Sequence, residues 1–160
     1  MTRTEDQRWM VAALRLARAA RGRGEVPVGA VAVREGRRIA SASNRMELAR
    51  DATAHAEMAC LRGAARASGS WRLGDVTLYV TLEPCPMCAS AMVLSRLGRL
   101  VYAAPDPKKG ADGSAYLILE HPANNHRVKV TRGVLEEEAS GMLSEFFKQL
   151  RRRRGGADDP

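Results

Sequence analysis

The chain predicts an α/β layered sheet built as one domain, and three observations carry that prediction. Near the N-terminus an apolar run, a turn signal and a second strand-type run make an antiparallel hairpin. After it, β-rich runs alternate with segments of helical period, as in sheets whose parallel strands are joined by right-handed crossovers. A length of 160 residues with 45% apolar and 28% charged side chains suits a single core that needs no disulfide staples.

Thr4 with Gln7 three residues on is a capping-box signal, and Met10, Ala13, Leu14 and Ala17 share the face of a first helix that ends near Gly22 and Gly24. Residues 26–33 form an apolar strand, Glu35-Gly36 turns, and 38–43 returns antiparallel. Residues 44–52 have no clear period and read as a loop. A second helix begins near Thr53, carries Met58, Ala59, Leu61 and Ala65 on its apolar face, and stops at Ser68-Gly69. Residues 76–81 are a central strand. Pro86 suits the first position of a helix whose apolar face is Ala89, Met92, Val93 and Leu97 and which Gly98 ends. Residues 100–103 make the next strand, 105–114 a long loop, 115–119 a short helix, 128–130 a fifth short strand and 136–153 the last helix. The domain is expected to span 1–150, with 151–160 a basic and then acidic tail without fixed structure.

The formal charge is +8, supplied almost wholly by arginine, with four arginines in succession at 151–154. Such a surface suits a polyanion, although a basic run is as often merely a solvated helix end. Three cysteines, two of them in Cys-x-x-Cys beside a helix start, make no disulfide framework, and the first residues are charged rather than apolar. A reducing, cytoplasmic setting is expected. No apolar run reaches the roughly twenty residues that span a bilayer, so no membrane insertion is expected.

The chemistry gathers in His55-Ala-Glu57 and Pro84-Cys85-Pro-Met-Cys88. In a helix starting at Cys85, residues 85 and 88 lie roughly 60° apart in projection, so both sulfurs can face one ion. The helix N-terminus favours their thiolate forms. His55 is the third ligand, and three protein ligands leave a fourth tetrahedral position for water, as a catalytic zinc requires. Glu57 lies roughly 200° from His55 around a regular helix, so both enter one pocket only near a helix terminus. There its carboxylate can move a proton between water and a substrate nitrogen. Cys60 falls roughly 140° from His55 and is expected in the core. His121 and His126 sit in a polar turn and are expected to bond backbone or solvent. Read alone, Cys-x-x-Cys also fits a structural zinc clip or a redox pair, but neither uses His55 and Glu57.

His-x-Glu with Pro-Cys-x-x-Cys resembles the zinc nucleobase deaminases of the cytidine deaminase-like superfamily. Beyond that signature, Glu25-Val-Pro-Val-Gly-Ala-Val31, Thr53-Ala-His-Ala-Glu57, Thr77-Leu-Tyr-Val-Thr-Leu-Glu-Pro-Cys85, Asn125-His-Arg127 and Phe146-Phe147 are similar to the bacterial tRNA-specific adenosine deaminases. The resemblance implies a three-layer α/β/α fold with a five-stranded mixed sheet, a homodimer with its sites near the interface, and one zinc per subunit held by His55, Cys85 and Cys88. It implies hydrolysis of adenosine to inosine at the wobble position of an arginine tRNA, by attack of zinc-activated water on C6 with Glu57 as proton shuttle. The same resemblance gives Asn44 a hydrogen bond to the flipped nucleotide and makes Val28 and Leu82 walls for the base. It sets the backbone near Ala56 and Cys85 at the reacting centre, and Asp106, Lys108 and Phe147 against the RNA of the anticodon stem-loop. Ala52, Pro86, Ser90 and the segment 115–120 depart from the family's usual pattern. Guanine or cytosine deamination, a non-catalytic zinc-containing RNA-binding protein, and action on single-stranded DNA are the competing readings.

Overall fold

The computed structural model describes residues 4–155. Helix α1 (Glu5–Gly22) opens with the expected capping box: the Thr4 hydroxyl accepts from the Gln7 backbone N–H, and the Gln7 side chain accepts from the Thr4 N–H. Strands β1 (Gly29–Arg34) and β2 (Arg37–Ser43) form the hairpin. The chain then runs through α2 (Met46–Ala49), α3 (Ala56–Ser68), β3 (Thr77–Leu82), α4 (Pro86–Leu94), β4 (Arg99–Ala104), β5 (Lys129–Thr131) and α5 (Glu136–Gly155). The sheet order is β2-β1-β3-β4-β5, antiparallel through β1 and parallel from β3 to β5.

Alternation along the strands decides the layers. Ala30, Ala32, Leu78, Val80, Leu100 and Tyr102 face one core with α3 and α4. Val31, Val33, Tyr79, Val101 and Ala103 face the other, with α1 and α5. The result is the expected three-layer α/β/α architecture. Gly29 lets α1 approach closely, since a Cβ there would collide with the Ala13 carbonyl.

The start of α1 is tied to the sheet by Asp6, which accepts two hydrogen bonds from Arg99 at 2.9 and 2.7 Å and one from the Tyr79 hydroxyl at 2.9 Å. The Arg99 guanidinium beside it, more than the tyrosine, holds the Asp6 carboxyl below its ordinary value. A carboxyl lowered by folding stabilises above its unfolded pKa of about 3.9 and loses that contribution as pH falls through the folded value. Asp6→Asn is therefore expected to cost about 1–2 kcal/mol near neutrality, the ion pair being partly exposed. In thermal melts the gap between wild type and variant should close as pH falls through the lowered Asp6 value; a gap independent of pH would remove this account.

Five stretches differ from the sequence reading. Strand β1 begins at Gly29 because residues 26–28 bend, Val28 N–H bonding the Val26 carbonyl across Pro27, which has no N–H to give. The stretch read as a loop at 44–52 contains the single turn α2. Helix α4 ends at Leu94, where Arg96 turns left-handed (φ 58°) and Leu97 enters the core as an irregular residue. Residues 115–119 are not a helix. The Ala115 and Tyr116 N–H groups bond the Gly110 carbonyl, Ile118 bonds Ala111, and Asp112 bridges Leu117 antiparallel, so the segment folds back on the loop before it. Only Ile118 and Leu119 reach the core, while Tyr116 and Leu117 stay exposed. The last helix, expected to reach 153, carries the whole basic run 151–154 and ends at Gly155, so these residues are not tail, and 156–160 lie outside the described residues.

Candidate active site

His55 and Cys85 occupy equivalent places, each the extended residue immediately before a helix: His55 before α3 (φ −76°, ψ 150°) and Cys85 before α4 (φ −71°, ψ 170°). The second helix thus begins three residues later than Thr53. That shift lets an extended His55 and a first-turn Glu57 point into one pocket. Pro86 fills the first position of α4, and Cys88 lies in its first turn, fully buried.

His55 Nδ1 is 3.6 Å from Cys85 Sγ and 3.5 Å from Cys88 Sγ, and the three donor atoms lie within 4.8 Å of one another. A tetrahedral ion with bonds of about 2.3 Å to sulfur and about 2.0–2.1 Å to nitrogen would set N···S separations near 3.5–3.6 Å. The trio fits a metal of zinc's size and softness, and no fourth donor joins it among the described residues. Cys60 is buried in the core, where desolvation pushes its thiol up to about 12, and stays out of this group. His126 bonds the Leu97 carbonyl and His121 accepts from the Ala123 N–H, as expected of turn histidines.

The electrostatics favour a thiolate at the mouth of the site. The Cys88 thiol beside Cys85, joined by His55, brings Cys85 down to about 4. Its hydrogen bond to Cys85, with burial, pushes Cys88 up in return. The Cys85 sulfur raises His55. Glu57 is 4% exposed, and its Oε2 accepts from Cys88 Sγ at 3.5 Å; burial raises its carboxyl above the ordinary range. A carboxyl raised in this way holds its proton less reluctantly, as a group that both takes and returns one must.

These groups open into a cleft of about 860 Å³. Val28, Asn44, Ala56, Leu82, Asp106, Lys108 and Phe147, separated widely in sequence, all line it together with His55, Glu57 and Cys85. Asn44 is 4% exposed, and its Oδ1 has no hydrogen-bond partner among the described residues. A buried orphan acceptor is costly unless something else satisfies it.

Two buried carboxylates that the sequence reading gave no role shape this cleft. Glu83, 1% exposed, follows β3 and accepts from the backbone N–H groups of Asp106, Asp112 and Ser114 and from the Ser114 hydroxyl. It gathers the 105–114 loop, and Gly110 is required there because a Cβ would collide with the carboxylate. Glu25, also 1% exposed, accepts from the Glu47 and Leu48 N–H groups at 3.2 and 2.7 Å and so fixes α2 beside Asn44. The available signal was an acidic residue at the edge of an apolar run. Ser140, Ser144, Lys148 and Arg151 of α5 add a polar, basic outer wall.

A family model described as MafB19-like deaminase matches residues 4–151. The tRNA-specific adenosine deaminase of Bacillus subtilis (strain 168) is 49% identical over 154 residues, covering 96% of each chain. A solved structure from studies of A-to-I editing by tRNA:A34 deaminases at the wobble position of transfer RNA superposes with a TM-score of 0.82. It is 46% identical and covers 85% of this chain and 99% of that one. The guanine deaminase of Nitrosomonas europaea matches more distantly, with a TM-score of 0.73 and 26% identity over 88% of this chain and 83% of that one. The layers, the sheet order and the His/Cys/Cys group are those of a cytidine deaminase-like enzyme, and the identity along nearly the whole of both sequences is more specific still: the chain belongs to the tRNA-specific adenosine deaminase family.

Proposed function

We propose that the chain is a zinc-dependent hydrolase that converts adenosine to inosine at the wobble position of a tRNA, an arginine tRNA being the expected substrate. The observation that carries this reading is the buried Glu57 carboxylate in contact with a His/Cys/Cys trio at tetrahedral spacing. A structural zinc clip would have no use for it, and a non-catalytic RNA-binding protein would have no reason to bear the cost of burying it.

His55, Cys85 and Cys88 would hold the zinc. When bound there, the ion supplies the Lewis acidity that brings the pKa of a water near neutrality. Glu57 would take a proton from the attacking water and pass it to N1 of the adenine as the water oxygen adds to C6. It would then take the proton of the new C6 hydroxyl to the 6-amino group as the C6–N bond breaks, so that ammonia leaves and the 6-oxo product remains. Val28 and Leu82 hold the base between apolar walls, and the Asn44 Oδ1 gains its missing donor from the flipped nucleoside. The first N–H groups beside Ala56 and Cys85 orient the reacting centre. Asp106, Lys108 and Phe147 receive the neighbouring sugars and phosphates.

The basic lip made by Lys108, Lys109, Lys148 and Arg151 favours RNA over a free base, since guanine or cytosine would gain nothing from it. Incubation of the purified, zinc-loaded protein with an anticodon stem-loop is expected to yield inosine at the wobble position, read by sequencing and ammonia release. Turnover of guanine or cytosine without stem-loop activity would overturn the reading, and equal turnover of single-stranded DNA would overturn its restriction to RNA.

The same reading includes a homodimer working in the cytoplasm. Leu48, Leu94 and Leu117 expose apolar surface that a second copy would cover, all three cysteines are free, and among the described residues no helix is long and apolar enough to cross a membrane. Light scattering should give twice the 17.4 kDa chain mass; a monomer that is fully active would sink the dimer. The loop contact also has a kinetic signature. Glu83→Gln turns one acceptor into a donor aimed at backbone N–H groups. It should cost about 1–3 kcal/mol of stability and raise KM for the stem-loop more than it lowers kcat. A variant with wild-type KM would deny Glu83 any part in placing Asp106 and Lys108.

A further inference from the structure

Across α5 from the active-site cleft lies a second concavity of about 360 Å³, walled by the last turn of α1 and the C-terminal half of α5. Arg18, Arg21 and Arg153 line it with Phe146, Gln149 and Leu150, and no carboxylate is among its described lining residues. Both helices end nearby, and cations in a last turn complement the helix dipole. That need is met by arginines fanned into solvent and does not call for three guanidiniums, from two helices, around one hollow.

The two hollows share α5. Ser144, Phe147, Lys148 and Arg151 line the active-site cleft, whereas Phe146, Gln149, Leu150 and Arg153 line the second. Phe146 and Phe147 meet edge to face at 5.4 Å, so the aromatic walls of the two hollows are in contact. About one helix diameter, roughly 10–12 Å, separates the hollows, and of the exposed arginines at 151–154, Arg151 lines the first and Arg153 the second. A polyanion leaving the active-site cleft over α5 meets mostly positive charge, broken by Glu145, which accepts from the Gln149 amide at 3.4 Å, and then a concave seat. Guanidinium groups match the paired oxygens of a phosphate better than any other side chain.

We propose that this arginine-lined hollow is a second RNA contact, seating backbone phosphates of the tRNA where it crosses α5. The proposal rests on the tRNA reading above. Its test compares wild type, the double variant Arg18→Ala/Arg21→Ala, and Arg153→Ala in binding to whole tRNA across a salt series, with deamination kinetics and thermal melts alongside. Each phosphate left without its arginine should flatten the slope of log affinity against log salt by about 0.7–0.9. The double variant should bind whole tRNA about ten-fold more weakly, with KM rising in step while kcat holds. A salt slope and Kd equal to wild type would overturn the proposal. So would a lowered melting temperature with an unchanged slope, which would assign the arginines to the helix ends alone. Wild-type protein that fails to deaminate tRNA defeats the functional reading itself; active wild type with indifferent variants defeats only this inference.

Discussion

Glu57→Ala is expected to lower kcat about 10²–10⁴-fold, the usual worth of a positioned general acid/base, while the protein still binds about one zinc per chain. The separation of the two readouts follows from geometry. Glu57 touches Cys88 Sγ at 3.5 Å but is not one of the three converging donors, so its loss removes proton transfer and leaves the His/Cys/Cys set intact. Glu57→Gln, which keeps the shape and most of the packing, should be as inactive as the alanine variant. Ammonia release and metal analysis on the same samples check both. Activity within a few-fold of wild type in either variant would remove the proposed mechanism.

Removing a metal ligand should be more damaging because it reaches the fold as well as the chemistry. Cys88→Ser is expected to lose both bound zinc and deamination. Its melting temperature should fall to that of chelator-treated wild type, since a ligand that binds only the folded state stabilises it by about 4 kcal/mol at a thousand-fold excess over Kd. Cys88 is fully buried, and its thiol is pushed up by Cys85 and by burial, so binding metal must drive off its proton. Zinc affinity should therefore weaken as pH falls. Readdition of zinc should rescue stripped wild type and fail to rescue Cys88→Ser. An enzyme that keeps turning over after exhaustive chelation, with metal analysis showing none bound, would refute a catalytic metal.

What the sequence made legible was what local pattern encodes. The hairpin, the capping box at Thr4, the buried strands and the Gly69 helix stop each rest on neighbouring residues whose period or turn chemistry is self-contained. His55, Glu57, Cys85 and Cys88 were readable because metal chemistry restricts residue type and spacing together. Val28, Asn44, Ala56, Leu82, Asp106, Lys108 and Phe147 came from family resemblance, and no local signal would have joined them. Glu25 and Glu83 escaped because each acts on backbone N–H groups about twenty to thirty residues away, and such bonds leave no periodic trace. The segment 115–119 failed in the opposite sense. Its apolar run looks helical, yet the carbonyls of Gly110 and Ala111 claim its N–H groups first.

Glu83 stands two residues before Cys85, and the Ala111 N–H bonds the carbonyl of the intervening Pro84 at 2.8 Å. The strand end that carries Cys85 and the loop that carries Asp106 and Lys108 are therefore one hydrogen-bonded unit. Thermodynamic linkage then runs both ways: whatever factor the ordered metal site adds to RNA affinity, bound RNA must return to metal affinity. If zinc and tRNA bind as proposed and are coupled through this unit, the ion should transfer more slowly to a chelator once tRNA is present.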